Sequence, residues 1–547
     1  MPVAAGGAGR TPRSQSGQIV ESADAVVIGA GHNGLVAAAM LADAGWDVVV
    51  LEAQPEPGGA VRSAELAPGY ITDLFSSFYP MTIASPAIAA LGLEDHGLRW
   101  SHAPAVVGHP RNPTDDDPPV IYHDPARTAA EFERRQPGDG ENWWRLVALW
   151  DKVKEPLLHA ILAPFPPVGP LTQLLTKLGT AEALRLANLL VQPANSMAER
   201  LFAGEAPRVM LLGNAMHADI PPDAPGSGVM GLLMSMMAQD RGWPVPVGGA
   251  GQLTAALVKR AESVGAQIEC NQTVARIQVS GGRAVGVSTA AGRTVHARRA
   301  IIADVTAPRL FCEMLPADAL PKGLRHDLEH YLWDPPVVKV NYALDGPVPW
   351  RAKSLHSVGT VHLGADGDGL IRWMADVNTK VIPKSPFMLL GQTTTADPSR
   401  SPEGTESVWA YTHLPRSIDD DASAEQLSQS MDDVIEAHAP GFGSRVVGRF
   451  LQRPSDLEAS DANLYRGSLN GGTAQLQQML IFRPAPGMGR PETPVEGLYL
   501  ASASATPGGS VHGACGRNAA NAALRAGGVT GWPRRKLRKA VLSLLTR

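Results

Sequence analysis

The segment VVIGAGHNGLVAAAMLADAGWDVVVLEA, residues 26–53, leaves few folds open. Val26, Val27 and Ile28 read as a short buried strand, and Gly29, Gly31 and Gly34 follow it with G-x-G-x-x-G spacing. Bare backbone at Gly29 and Gly31 allows a pyrophosphate to come close, and Gly34 lets the next helix pack on the strand. That helix is predicted from Leu35 to Ala44, with its N-terminal amides and dipole facing the anion. Gly45 stops it, and residues 46–51 return as a second strand ending on Glu52. A carboxylate there accepts from a ribose diol and repels a 2′-phosphate, which favours an unphosphorylated adenosine ribose over NADP. A strand, helix and strand in this order implies an α/β chain with a parallel sheet.

Context, and not the glycine spacing alone, carries that reading. GSGVMG at residues 226–231 has the same spacing, but it follows a Pro-rich turn and no acid-terminated strand comes after it, so it is read as a glycine turn. After the first unit, Gly58 and Gly59 suit a close backbone approach to a ligand, and Arg62 is placed to meet a phosphate. Near the other end GLYLASASATPGGSVHGACGRNAANAALRAGG, residues 497–528, repeats the order strand, glycine turn, Ala-rich helix, with Gly508 and Gly509 just ahead of the helix.

The chain has 547 residues, 44% of them apolar and 18% charged, enough for two domains and unlike disordered or fibrous chains. Cys270, Cys312 and Cys515 lie far apart without a C-x-x-C pair, which argues against a disulfide framework and a cysteine zinc site. Residues 1–23 lack an apolar signal core and read as a flexible leader; Arg10 and Arg13 without an early acid leave a transit function open. Residues 531–547 hold six basic side chains and no acid, with Leu537, Val541, Leu544 and Leu545 on one helical face. Such an end suits either an anionic membrane surface or docking on its own domain. No aromatic residues interleave it beyond Trp532, so nucleic-acid binding finds no support.

Residues 101–239 read as mostly helical with Pro-rich breaks. Residues 155–179 are strongly apolar, but Pro164, Pro166, Pro167 and Pro170 prevent one bilayer-spanning helix. This stretch, like Met230, Met234, Met236 and Met237, fits a domain core or the wall of a lipophilic pocket. Between residues 334 and 453, alternating segments such as VVKVNYAL and ESVWAYTHL predict an antiparallel sheet with one packed face. HDLEH, residues 326–330, matches an inverted zinc-peptidase string but lies in a charged helix, and is read as a solvated face without metal.

The segments GAGHNGL, WPVPVGGAGQL, AIIADVTAP, LQQMLIFRPAPG and GLYLASASATPGGSVHGACGRNAA, with the Gly58–Gly59 doublet, resemble phytoene desaturases and their non-carotenogenic relatives. These are FAD-dependent oxidoreductases of the amine oxidase superfamily. The resemblance runs from about residue 24 to 528 and is strongest to the phytoene-dehydrogenase-related branch with pyridine nucleotide-disulfide oxidoreductase domains. It implies a discontinuous Rossmann-like FAD-binding domain from residues 24–100, 243–333 and 454–530. It implies a mixed α+β substrate domain with a helical insertion from residues 101–242 and 334–453.

By the same resemblance Gly29, Ala30, Gly31, Asn33, Gly34, Glu52 and Ala53 hold the ADP half of a non-covalent FAD. Arg62 lies near the phosphates, Val274 meets adenine, and Pro507, Gly508, Gly509 and Val511 lie under the flavin pyrimidine. Where many relatives have glycine after the YLA strand this chain has Ser502, whose side chain would crowd or hydrogen-bond the phosphates. The implied activity is oxidation of a lipophilic small molecule, with oxygen or a quinone as electron acceptor. An amine or amino-acid oxidase and a lipid escort on the same fold stay open beside it. His32, His512 and Asp73 lie near the expected flavin but read as structural, and no catalytic residue is assigned. A cytoplasmic, membrane-surface or mitochondrial-matrix location fits these features.

Overall fold

A computed structural model describes residues 21–527, so most of the expected leader and the basic C-terminal segment lie outside the described residues. The first strand, Glu21–Ile28, begins inside the span expected as leader. It pairs in parallel with Val48–Leu51 on one side and Thr294–Ala303 on the other. Gln267–Glu269 and Leu498–Leu500 add further parallel strands, and Val274–Ser280 with Arg283–Thr289 forms an antiparallel extension. Val27, Val48, Val50 and Ile302 pack under the helices His32–Asp43, Ala250–Ser263 and Ala514–Gly527; Val26, Val49 and Ile301 pack on the opposite side with Leu310 and Phe311. Both faces are covered, which is why these strands are continuous apolar runs and not alternating ones. The first helix starts at His32, three residues before the sequence-based start, because Gly31 in extended conformation already serves as its N-cap.

The second sheet runs in the order Val446–Gln452, Val337–Leu344, Glu406–His413, Met388–Gln392, Val358–Leu363, Ala105–Gly108, Val120–Ile121. It is antiparallel except where Val358–Leu363 meets Ala105–Gly108. Residues 101–239 are therefore not wholly helical. The four-residue run AVVG is too short for periodicity to separate strand from helix, and its pairing partners come from far along the chain.

The expectation of one packed face also needs correction: Val337–Leu344 is buried along its whole length. Val338, Val340, Tyr342 and Leu344 pack on Leu427, Met431 and Ile435 of helix Asp421–His438. The opposite face, carrying Lys339, Tyr411, Leu389 and His362 in one cross-strand row, turns inward to a cavity wall and to the helical region. Polar residues at the second set of alternating positions suggest solvent, but here they are enclosed.

The apolar stretch 155–179 is split between helices Asp139–Ile161 and Val168–Leu190, the latter broken again at Gly179. No helix among the described residues is long and apolar enough to cross a membrane. Gly226 caps helix Ser227–Asp240 at a φ of +84°, so the second glycine string begins a buried helix and follows no strand.

Candidate functional site

The first glycine turn closes on itself. A Cβ on Gly34 would stand 2.1 Å from the Gly29 carbonyl oxygen, and Gly29 holds a φ of +94° that disfavours other residues. Glu52, 7% exposed, accepts from the Ala30 amide at 2.6 Å and from the Gln54 amide at 2.9 Å. It therefore spans the turn from the end of the second strand. The Gly58 amide donates to Ala30 at 2.9 Å, which brings the Gly58–Gly59 doublet against the same turn.

Asp304, which sequence reading passed over, is the buried partner of this turn. Its Oδ2 accepts from the Gly34 amide at 2.9 Å across 270 residues of chain. Burial pushes its pKa up to about 8, against the Gly34 hydrogen bond and with help from the charges of Asp461 and Glu52. The available signal was AIIADV itself: the strand ends beside Ile28, and the Asp304 amide donates to the Ile28 carbonyl. Burial also raises Asp461 above its ordinary value.

The second glycine segment is held from beneath by Arg483. This fully buried guanidinium donates to the carbonyls of Ala503, Asn470 and Thr473 at 2.7–3.0 Å. Ser502 is buried, and its Oγ accepts from the Ser504 amide at 3.2 Å, so this side chain stitches its own loop. The helix after this loop begins at Ala514, and the Ala514 amide donates to His512 Nδ1 at 3.0 Å. Burial pulls the His512 pKa down to about 3, with His32 nearby, and that of His32 down to about 4. Both are neutral imidazoles; His512 Nδ1 is engaged by the Ala514 amide, whereas His32 Nε2, on the cavity wall, is buried without a hydrogen-bond partner among the described residues.

One cavity of about 450 Å³ joins the two glycine segments. Gly29, Gly31, Asn33, Glu52, Ala53, Gly59, Val274, Pro507, Gly509 and Val511 line it, as do Asp304 and Asp461. Ala30, Gly34, Gly58 and Gly508 are not among its lining residues. Arg62 is turned away: its guanidinium donates to the carbonyls of Gly59 at 2.9 Å and Ser460 at 2.8 Å and lies 5.2 Å from the Phe75 ring. Beyond the glycines the cavity continues between the second sheet and the helical region. Met230 and Met234 reach it while Met236 and Met237 stay in the core.

Lys339 is a buried lysine on the wall of that inner part. Its Nζ donates to the carbonyls of Asp73 at 2.5 Å and Phe75 at 2.9 Å, and burial pulls its pKa down to about 7. Asp73 itself is buried in an ion pair with Arg400 at 2.9 Å and accepts from Ser63, Ser77 and the Ala250 amide, which makes it a structural hub. His326 and His330 lie exposed at the helix Lys322–Glu329, where His330 Nδ1 is 2.9 Å from the His326 carbonyl.

A parallel-sheet nucleotide turn, a second glycine loop and an enclosed chamber under a mixed sheet define a flavoprotein-type oxidoreductase fold. The chain belongs to the flavin-containing amine oxidoreductase family, whose profile matches residues 34–524. It is 30% identical over 572 residues to pyridine nucleotide-disulfide oxidoreductase domain-containing protein 2 of Rattus norvegicus, covering 94% of this chain and 96% of that one. It is 25% identical over 494 residues to the zeta-carotene-forming phytoene desaturase of Myxococcus xanthus, covering 88% and 90%. Among solved structures, wild-type putrescine oxidase bound to putrescine superposes with a TM-score of 0.59 at 16% identity, covering 92% and 99%, a likeness of fold.

Proposed function

We propose that the chain is an FAD-dependent oxidoreductase of dehydrogenase or desaturase type acting on a lipophilic substrate, with oxygen or a quinone taking the electrons. The observation that carries this reading is the single cavity running from the Gly29–Gly34 turn, past the loop at Pro507–Val511, into an apolar chamber. The residues fit FAD: a Cβ at Gly31 would stand 2.8 Å from Asp304 Oδ2, so the turn has room only for a ligand that meets bare backbone. Gly29, Gly31 and Glu52 would hold the ADP half, and Gly509 and Val511 the ring end. Bound there, the flavin supplies a hydride acceptor.

Non-covalent binding is supported by the chemistry of two nucleophiles of the second glycine segment, Cys515 and His512. The Cys515 thiol is pushed up to about 12 by burial, and His512 Nδ1 is engaged by its own helix. The carboxylates that line the cavity, Glu52, Asp304 and Asp461, all sit at the nucleotide end, whereas Lys339 faces the inner chamber. An ammonium substrate would find no carboxylate counter-charge among the residues lining that chamber, so a neutral lipophilic substrate is favoured over an amine. Supply from a membrane surface is supported by exposed apolar side chains on helix Val168–Leu190, including Val168 at 65% and Leu184 at 66% exposure.

The test is the visible absorption spectrum of the purified protein before and after acid precipitation, followed by anaerobic mixing with phytoene in detergent. A yellow protein that releases FAD on precipitation and bleaches with the polyene is expected. A colourless protein that stays colourless after incubation with FAD would overturn the reading and promote a lipid-carrying role.

A further inference from the structure

Three histidines from separate segments meet at the inner end of the cavity. His217 sits on the turn Met216–Ala218 and lines the cavity. His362 belongs to strand Val358–Leu363, and His109 directly follows strand Ala105–Gly108, its parallel neighbour. Their nitrogens form a file. His217 Nε2 is 3.0 Å from His362 Nε2, His362 Nδ1 is 3.3 Å from His109 Nδ1, and His109 Nε2 is 2.7 Å from the Ala365 carbonyl oxygen. Helix Glu205–Ala215 leaves room for the file at one residue: a Cβ on Gly213 would stand 2.3 Å from His362 Nδ1 and 2.7 Å from His109 Nδ1.

The carbonyl at the far end sets every proton in the file. Ala365 can only accept, so His109 carries its proton on Nε2 and offers Nδ1 as an acceptor. His362 then donates from Nδ1 and accepts at Nε2, which requires His217 to donate from Nε2. A neutral imidazole has one N–H, so His217 keeps a bare Nδ1 lone pair. Burial keeps all three rings neutral, pulling His217 to about 3, His109 to about 4 and His362 well below its ordinary value. The charged groups acting on the file gather at its outer end, where Asp115 and Asp366 raise His109 and Arg111 lowers it. Trp243 packs edge-on against His217 at 4.9 Å.

We propose that His217, His362 and His109 form a proton-accepting relay at this cavity, in which His217 Nδ1 takes the proton that a substrate C–H loses on oxidation. The proposal rests on the reading of the cavity as the site of a flavin-dependent oxidation. Converting a CH–CH unit to C=C removes one hydride, which goes to the flavin as oxidant, and one proton. The bonding pair left by that proton becomes the new π bond, and the proton binds His217 Nδ1. The Nε2 proton of His217 then passes to His362 Nε2, and the Nδ1 proton of His362 to His109 Nδ1. The charge comes to rest on His109, the ring of the file on which the charges of Asp115 and Asp366 act most, Asp115 being paired with Arg111. A weak base is adequate, because a carbon made electron-deficient by hydride loss renders its neighbouring C–H strongly acidic. His217 is thus the catalytic residue, and His362 and His109 are positioning residues acting through it.

Selective ¹⁵N-histidine labelling of the flavin-loaded protein, with signals assigned from single His→Gln variants, reads the tautomers directly. Nε2–H on His217 and His109 with Nδ1–H on His362 is expected; Nδ1–H on His217 would overturn the proposal. Gly213→Ala should scramble this pattern, and His362→Asn serves the same purpose if that variant does not fold. In anaerobic single turnovers with phytoene micelles, His217→Gln should slow formation of the new double bond, read as the longer-wavelength polyene absorbance, by about 100-fold or more at unchanged phytoene affinity, His362→Asn should slow it less, and the exposed-site control His326→Gln should not change it. An unchanged rate in His217→Gln would overturn the relay. Failure of phytoene to bleach even the wild type would count against the substrate reading instead, and the tautomers would still decide whether the file is built as described.

Discussion

Replacing Asp304 with asparagine should change how stability depends on pH, not simply lower it. Burial pushes the Asp304 carboxyl up to about 8 from an ordinary value of 3.8. Folding therefore takes up a proton in that window, and the stability associated with Asp304 is greatest at low pH and declines as pH climbs from 3.8 towards 8. At pH 7 the folded side chain is about nine-tenths protonated and the unfolded one ionised, which gives a slope of about −1.2 kcal/mol per pH unit. Asp304→Asn keeps an oxygen to accept from the Gly34 amide and has no proton to exchange.

Urea midpoints of flavin-free wild type and variant, measured at pH 5, 6, 7 and 9, isolate the effect, because other titrating groups largely cancel in the difference. The variant should gain on the wild type by about 1.3 kcal/mol per unit between pH 5 and 7 and then level off above about pH 8. A difference that stays constant across the series would show that Asp304 is ionised in the folded chain. The account of the turn as packed around a neutral acid would then be wrong.

Lys339 should behave with the opposite sign: its folded pKa is lowered to about 7 from 10.5, so its contribution grows as pH rises through that window. Lys339→Met should erase this rise between pH 8 and 10 in urea midpoints, and it should also cost about 1–3 kcal/mol by leaving the Asp73 and Phe75 carbonyls unpaired. Gly34→Ala drives a Cβ to 2.1 Å from the Gly29 oxygen, so a colourless protein destabilised by about 1–3 kcal/mol is expected from absorbance and thermal melting. Glu52→Ala removes the acceptor shared by the Ala30 and Gln54 amides and should weaken FAD by about tenfold or more in a fluorescence titration, whereas Glu52→Gln should lose less.

What could be read in advance follows from how far each interaction reaches along the chain. The strand, turn, helix and strand of residues 26–51 were legible because every constraint on them is local: apolar runs, three glycines at fixed spacing and an acid at the end of a short strand, whereas residues 21–25, which extend the first strand, carry no such signal. The second glycine loop was legible for the same reason. Asp304 reaches Gly34 across 270 residues, and no spacing in the sequence announces that the ends of two parallel strands will lie side by side. Lys339 is harder still, since VVKVNYAL alternates like a strand with one face in water, and only the helical region packed on that face makes the lysine an interior group. The histidine file shows the limit most sharply. His362 and His109 are 253 residues apart, and each alone reads as an ordinary core or loop histidine. They become a proton path only because a parallel strand pair brings two of them together and a helix lacks a side chain at Gly213. A glycine inside a helix normally costs about 1 kcal/mol relative to alanine. Gly213 is thus a mark in the sequence itself that something must lie against that helix, and the rings it admits identify what.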